Sequence, residues 1–270
     1  MRAVFFDVGD TLVENWAPVS RINEIAHEVM CREFGERPWF RDFLEAKFGP
    51  AAHTLAEHGT AAESDVLLRQ QTLEWYASWF TNSRIGIDDI DLDRLRVAMT
   101  VPLELVSTLV PGAREALEWC KASGLQVCIV TNTLARGDDE VWEDWRRFGL
   151  AQHIDGVASS HSVGWQKPHR AIFDRALSLA GGVRPAEAVM VGDRTDADVL
   201  GAKRLGMRAV LRRTGNAGAM RDVGVSPDAV IDDLTALPAV LARWVAVPTA
   251  QPGLPGPGRV MEGGDGGQIT

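Results

Sequence analysis

Residues 3–13 read AVFFDVGDTLV, a short apolar run that stops abruptly at the carboxylate of Asp7. An unbroken apolar run is typical of a strand that is buried on both faces in a parallel sheet covered by helices. Asp7 would then lie at the carboxyl end of the strand, the edge where open α/β sheets bind ligands. Gly9 permits a tight turn beside it. Asp7 is therefore a candidate functional residue, the alternative being an ordinary turn after a strand.

From Val110 onward the sequence alternates apolar runs with helical patterns. It predicts strands at 125–130, 154–158, 188–191, 208–211 and 229–231, and helices at 113–122, 138–148, after Pro168, at 196–205 and from Asp232 to near Val245. Such alternation indicates a parallel sheet with right-handed crossovers. We therefore predict an α/β fold with a Rossmann-like core made of residues 1–13 and 110–246.

The segment between the first strand and this core has a different character. Apolar residues recur there at helical spacing, as at Ile22, Ile25 and Val29, and we expect its Trp and Phe residues to fill the core of a small helical bundle. We predict that residues 14–109 form a helical cap inserted after the first strand. The Pro- and Gly-rich residues 247–270 lack apolar periodicity and are predicted to form a disordered tail.

Composition narrows the classes of function. The formal net charge of −9 argues against a nucleic-acid partner, because phosphate backbones are bound through clustered Lys and Arg. No apolar run approaches the roughly 20 residues of a membrane helix, and the N-terminus has no signal-peptide pattern. Cys31, Cys120 and Cys128 lack metal-ligand spacing and are typical of reduced, packed thiols. We expect a cytoplasmic protein with no membrane partner; the sequence sets no oligomeric state.

Polar groups end or follow four of the predicted strands. These are Asp7, the pair Thr131-Asn132, Lys167 and Asp193. Because the carboxyl ends of parallel strands meet at one edge of the sheet, we expect these side chains to converge there. Each has a structural alternative when taken singly: Thr131 as a strand end and Lys167 as a solvated surface charge. Polar residues at four successive strand ends together favour a functional site over four separate structural roles.

The motifs around these residues resemble, in order and spacing, those of the haloacid dehalogenase-like hydrolase superfamily. Asp7, Thr11 and Leu12 match the first motif, Asp-x-Asp-Gly-Thr-Leu, and Val130-Thr131-Asn132 is similar to the second. The third and fourth motifs resemble residues 164–173, GWQKPHRAIF, and residues 191–202, VGDRTDADVLGA. The resemblance covers about residues 2–211, and the helical segment stands where one subgroup of the superfamily carries a helical cap.

The resemblance implies a Mg²⁺-dependent phosphatase that acts on a small phosphorylated metabolite. Asp7 would attack phosphorus and form an aspartyl phosphate that water then hydrolyses. Thr131, Asn132 and Lys167 would bind the phosphoryl oxygens. A cation is needed because an anionic ester repels an anionic nucleophile.

The metal ligands implied by the resemblance are oxygen donors, as Mg²⁺ prefers. Asp7, Asp193 and the backbone carbonyl of Gly9 would bind the ion directly. Asp198, one helical turn after Asp193, would hold a metal-bound water or orient Lys167, the alternative being support of a helix terminus.

One position departs from the superfamily pattern. Phosphatases of the superfamily carry a second Asp two residues after the nucleophile as general acid and base, and this chain has Gly9 there. Asp10 lies one residue farther on, where its carboxylate either replaces the missing acid and base or satisfies local backbone groups. Since a general acid and base contributes about 10²–10⁴-fold in rate, its loss predicts slow turnover or dependence on good leaving groups.

Two other functions stay open. The 2-haloacid dehalogenases also use attack by an Asp and lack the second Asp, but they need no Mg²⁺, so the Asp193 and Asp198 pattern favours the phosphatase. The other is a protein that binds a phosphorylated ligand or a protein partner with little catalysis.

Overall fold

The computed structural model describes residues 1–47, 68–87, 89–215, 222 and 224–245. The predicted disordered tail, residues 247–270, lies outside the described residues, as do residues 48–67 and 88 of the predicted cap. Among the helices that are described, none combines the length and the apolar character needed to span a membrane.

A six-stranded parallel sheet forms the centre of the fold. The described strands, in chain order, are β1 (Ala3–Phe6), β2 (Val13–Asn15), β3 (Ser107–Leu109), β4 (Gln126–Thr131), β5 (Gly156–Ser159), β6 (Ala188–Gly192), β7 (Arg208–Arg212) and β8 (Ala229–Ile231). The order in the large sheet is β5-β4-β1-β6-β7-β8, and every neighbouring pair in it is parallel. The predicted α/β class and parallel Rossmann-like core are confirmed.

Helices cover both faces of this sheet and make up the segment between β2 and β3. They are α1 (Val19–Phe34), α2 (Phe40–Lys47), α3 (Leu68–Ser83), α4 (Leu92–Ala98), α5 (Ala113–Ala122), α6 (Asp138–Arg147), α7 (Ser160–Val163), α8 (Arg170–Leu179), α9 (Leu200–Arg204) and α10 (Leu237–Ala242). The helix predicted at 113–122 has these bounds in the structure.

Two apolar layers sandwich the sheet because successive side chains of a strand point to opposite faces. On one face Val4 and Phe6 of β1 pack in a cluster that includes residues of α5, α6 and α10. On the other face Phe5 packs in a cluster that includes residues of α8 and α9. All four residues of β1 are completely buried, which explains why its sequence is apolar at every position rather than at alternate ones.

The helices α1–α4 build a separate hydrophobic cluster. Its buried rings are Phe40, Phe43, Tyr76 and Phe80, and Trp39 packs against them. The expectation that the Trp and Phe residues of this segment fill a core is confirmed for these rings and is wrong for Trp16, which is 58% exposed and lies outside the cluster. The chain enters and leaves this helical segment through β2 and β3, which pair antiparallel. We did not predict these strands, because three residues are too few to show a periodicity.

The helix predicted at 196–205 begins irregularly. Residues Thr195–Val199 form a π-helical turn before α9, and the backbone N–H of Val199 donates to the carbonyl of Arg194 five residues earlier. π turns occur preferentially at functional sites. The last helix is also shorter than expected, because a 3₁₀ turn at Leu234–Ala236 precedes α10, which ends at Ala242 rather than near Val245.

Close packing of α9 against α8 yields a stability prediction. A Cβ added at Gly201 would lie 2.4 Å from the Phe173 ring and 3.2 Å from the Cα of Pro168, next to Lys167. We expect Gly201→Ala to destabilise the fold by about 1–3 kcal/mol through overpacking, which lowers the melting temperature by roughly 3–10 °C. Gly86→Ala is the matched control, since a Cβ there meets nothing within 4 Å. A melting temperature of Gly201→Ala at or above that of the wild type would contradict this packing argument.

Candidate active site

The carboxyl ends of neighbouring strands bring the predicted site residues together. Asp7 follows β1, Thr131 ends β4 and Asp193 follows β6, and β1 lies between β4 and β6 in the sheet. Lys167 comes from the loop between α7 and α8, beyond the next strand, β5. The predicted convergence at one sheet edge is present in the structure.

Lys167 is the centre of the arrangement. Its Nζ lies 2.6 Å from Asp7 Oδ1 and 2.7 Å from Asp198 Oδ1, and it donates to the carbonyl of Val130 at 2.7 Å. The side chain is only 2% exposed. Burial by itself would lower the pKa of Lys167, but the nearby carboxylates of Asp198 and Asp7 raise it above its usual value. The ammonium is therefore a fixed positive charge at neutral pH.

Three buried carboxylates surround this ammonium. Oxygens of Asp7, Asp193 and Asp198 lie within 4.8 Å of one another. Burial, followed by repulsion from Asp7 and Asp198, raises the pKa of Asp193 to about 7, and burial likewise raises the pKa of Asp198 against the opposing effect of Lys167. Three carboxylates against one ammonium leave an excess of negative charge in a site made of hard oxygen donors. These residues fit a divalent cation such as Mg²⁺.

The turn after Asp7 winds around one carbonyl. The carbonyl of Val8 accepts from the backbone N–H groups of Thr11, Leu12 and Val13 at 3.3, 2.9 and 3.0 Å. The Thr11 hydroxyl donates to Asp7 Oδ2 at 3.4 Å. This winding fixes the backbone on which the nucleophile candidate is held.

Asp10 lies in the same turn with a left-handed backbone, φ 54°. Its N–H donates to the carbonyl of Val13 at 2.8 Å, and its own carbonyl accepts from Arg212. Burial and the neighbouring Glu14 raise the pKa of the Asp10 carboxyl, and Asp7 adds to the same effect. Gly9, in contrast, is exposed, and a Cβ on it would meet nothing within 4 Å.

Asn132 has a role that the sequence did not indicate. Its side-chain Nδ2 donates to the carbonyl of Lys167 at 3.1 Å, and its Oδ1 accepts from the N–H of Lys167 at 2.7 Å. The side chain thereby clasps the backbone of the lysine. Because both polar atoms of its side chain bind the Lys167 backbone, Asn132 would contact a phosphate through its own main chain.

Gly192 explains how Asp198 reaches the site. A Cβ added at Gly192 would lie 2.2 Å from the Asp198 carboxyl carbon, so only glycine leaves room for this side chain. The Asp198 carboxylate also accepts from the N–H of Arg194 at 3.0 Å. The close approach holds Asp198 against Lys167.

A cavity of about 300 Å³ opens beside the predicted phosphate-binding residues. Gly9, Thr131 and Asn132 line its inner end, and Ile22, Met99, Val101 and Val106 line it from the helical segment and the chain leading out of it. Most of its walls are apolar. The arrangement can hold a small group next to Gly9 and Thr131.

Two arginines near this cavity, the buried Arg96 and the partly buried Arg136, were missed by sequence reasoning. Arg136 Nη1 lies 2.5 Å from Asp144 of α6, and Arg136 also donates to the carbonyl of Val101. Arg96 of α4 pairs with Glu140 of α6 at 3.2 Å and donates to the carbonyl of Ala135. These contacts join the helical segment to the loop after β4.

One feature of the sequence signals such a pair. Asp144 lies on α6 between Val141 and Trp145, so it belongs to the face that this amphipathic helix buries. An acid on an apolar helix face requires a buried partner. The identity of that partner does not follow from spacing.

Comparisons with known proteins identify the family. A family model described as a haloacid dehalogenase-like hydrolase matches residues 1–206. Glyceraldehyde 3-phosphate phosphatase from Pyrococcus furiosus is 30% identical over 246 residues, which cover 90% of this chain and 94% of the relative. Phosphoserine phosphatase from Thermus thermophilus is 32% identical over 250 residues, covering 87% and 96% of the two chains.

A solved structure gives the same result at the level of the fold. The crystal structure of a 2-haloacid dehalogenase from Pseudomonas syringae superposes with a TM-score of 0.54 at 26% identity, covering 90% of this chain and 99% of that chain. The family match spans most of the described core together with the helical segment, and the aligned relatives are covered almost completely. The chain therefore belongs to the haloacid dehalogenase-like hydrolases.

Proposed function

We propose that this protein is a Mg²⁺-dependent phosphatase that hydrolyses a small phosphate monoester through an aspartyl-phosphate intermediate on Asp7. The observation that carries the proposal is the buried Lys167 ammonium between Asp7 and Asp198, with Asp193 in the same carboxylate cluster. The names of the two phosphatase relatives support a phosphorylated metabolite of small size.

The metal would be held by Asp7, Asp193 and the carbonyl of Gly9. A bound Mg²⁺ supplies positive charge that offsets the repulsion between an anionic ester and an anionic nucleophile. The excess of buried carboxylate around Lys167 supports this assignment.

Side chains and backbone groups of the protein carry out the steps of the reaction. A carboxylate oxygen of Asp7 attacks phosphorus as the ester P–O bond breaks and the alkoxide leaves to take up a proton. Water then hydrolyses the acyl phosphate, which releases phosphate and restores the carboxylate. The Thr131 hydroxyl and backbone N–H groups around Val8 and Asn132 donate to the phosphoryl oxygens. Lys167 keeps a full positive charge next to both phosphate and nucleophile, and Asp198 orients it.

We propose the division of the chain into a core, residues 1–13 and 110–246, and a helical cap, residues 14–109, which closes over the site and excludes water during transfer. The separate hydrophobic cluster of α1–α4 supports this division. We also propose a cytoplasmic location, which the three free cysteines support.

The dehalogenase and the binding protein differ from the phosphatase in whether they need a metal and a general acid and base. A metal-independent dehalogenase gains nothing from a cluster of three buried carboxylates, so the cluster favours the phosphatase. A binding protein with little catalysis is favoured by Gly9, because phosphatases of the superfamily carry their general acid and base at that position. Metal-dependent hydrolysis of a phosphate ester would identify the phosphatase, metal-independent turnover of a 2-haloacid would identify the dehalogenase, and neither activity would leave the binding protein.

The first prediction concerns the nucleophile. With 4-nitrophenyl phosphate and Mg²⁺, we expect the wild type to turn over and Asp7→Asn to lose at least about 10³-fold in kcat, because an amide does not attack phosphorus. Asp174→Asn is the control, since Asp174 is an exposed residue paired with Arg170. Turnover by Asp7→Asn at the wild-type rate would refute the assignment, and no turnover by the wild type would favour the binding protein or the dehalogenase.

The second prediction concerns the metal. Chelator should abolish turnover, and Asp193→Asn should raise the Mg²⁺ concentration for half-maximal activity by roughly tenfold or more. Mg²⁺ should also raise the melting temperature of the wild type through preferential binding to the folded state, and raise it less in Asp193→Asn. Equal responses of the two proteins in both measurements would remove Asp193 from the metal site.

The third prediction concerns the departure at Gly9. Because a Cβ there meets nothing within 4 Å and Gly9 does not have a left-handed backbone, Gly9→Asp should fold and supply the missing acid and base. We expect kcat for an unactivated alkyl phosphate to rise by about 10²–10⁴-fold, with a smaller gain for 4-nitrophenyl phosphate, whose leaving group needs no proton. Gly9→Asn controls for size. An unchanged kcat in Gly9→Asp would mean that another group, such as Asp10, already performs this step.

A further inference from the structure

We infer that the part of the substrate beyond the phosphate is compact and uncharged, so that esters whose leaving group carries a carboxylate or a second phosphate are poor substrates. This inference rests on the proposed phosphatase function and specifies the class of its substrate. It follows from the chemistry of the cavity beside Asp7.

The cavity is the space into which a leaving group would extend. It runs from Gly9 and Thr131, which flank the proposed position of the phosphate, toward the helical segment. Its volume of about 300 Å³ is at the lower end for small-molecule sites, which indicates a leaving group of few atoms. Met99, Val101 and Val106, all almost fully buried, form much of its wall.

The charge in this cavity is already neutralised. Within the described part of the chain, Arg136 is the one charged residue that lines it. The Arg136 guanidinium is held by the Asp144 carboxylate at 2.5 Å and by the carbonyl of Val101. Asp144 is 2% exposed and also accepts from the N–H of Leu103 at 2.8 Å, so the pair is fixed in place. Arg136 therefore offers little net positive charge to a ligand.

Among the described residues that line this space, an anionic group would find no cation that is not already paired. Burial of an unpaired charge is costly, whereas a hydroxyl or carbonyl needs only a hydrogen-bond partner. Such a neutral partner lies among the lining residues: the side chain of Asn15, whose Oδ1 accepts from the Ser107 hydroxyl at 2.6 Å. The cavity thus matches a short leaving group that bears hydroxyl or carbonyl oxygens.

The experiment compares two esters of equal carbon number in the presence of Mg²⁺. Glycerol 3-phosphate has an uncharged leaving group and 3-phosphoglycerate has a carboxylate, while 4-nitrophenyl phosphate reports phosphatase activity as such. We expect kcat/KM to be at least about tenfold higher for glycerol 3-phosphate, the equivalent of one unmatched charged contact. Equal values or a preference for 3-phosphoglycerate would overturn the inference and leave the phosphatase assignment intact. No turnover of any of the three esters would overturn the proposed function and this inference together.

Two variants test the physical cause. Asp144→Asn keeps an acceptor for Leu103 but removes the charge that neutralises Arg136, so the selectivity ratio should shift about tenfold toward 3-phosphoglycerate. Asn15→Lys adds a cation at an exposed position in the cavity wall and should shift the ratio in the same direction, provided that its melting temperature shows a folded protein. Gln152→Lys is the matched control at an exposed position that does not line the cavity. An unchanged ratio in Asn15→Lys, or an equal shift in Gln152→Lys, would overturn the inference.

Discussion

The buried ammonium of Lys167 is the interaction on which the site depends. A lysine that is 2% exposed is stable in its charged form only when carboxylates lie beside it, and Asp7 and Asp198 do so at 2.6 and 2.7 Å. These carboxylates in turn repel each other and Asp193. The structure holds them together because three elements meet at one sheet edge, Asn132 clasps the Lys167 backbone and Gly192 leaves room for Asp198.

The helical segment completes the site in a different way. Its described residues contribute mostly apolar walls to the cavity and no charged residue, and contacts of Arg96 and Arg136 join it to the core: Arg96 pairs with Glu140, and Arg136, which pairs with Asp144 within the core, reaches across to the chain leaving α4. Both arginines also donate to backbone carbonyls, of Ala135 and Val101, so they fix the loop after β4 as well as the chain that leaves α4. The same contacts that join the two parts of the molecule therefore set the charge of the cavity between them.

Gly9 distinguishes this site from those of the superfamily phosphatases, which carry an Asp at this position. The turn after Asp7 is wound around the Val8 carbonyl in a way that does not require glycine at position 9, where a side chain would find open space. Asp10, the neighbouring carboxylate, is held in a left-handed conformation by its place in the turn. Side chains at positions 9 and 10 therefore point in different directions although the two residues are adjacent in the sequence, because consecutive residues of a tight turn project differently.

The parallel sheet was predictable from the amino-acid sequence, since strands buried on both faces must be apolar throughout, and so were Asp7, Thr131, Lys167 and Asp193 as polar residues at its carboxyl edge. Periodicity also located the helical segment. The folded protein was needed to show that Asn132 holds Lys167, that a π turn brings in Asp198 and that Arg136 is neutralised by Asp144. These contacts depend on distances between elements far apart in the chain. A buried ion pair and a solvated one are made of the same residue types, and only packing distinguishes them.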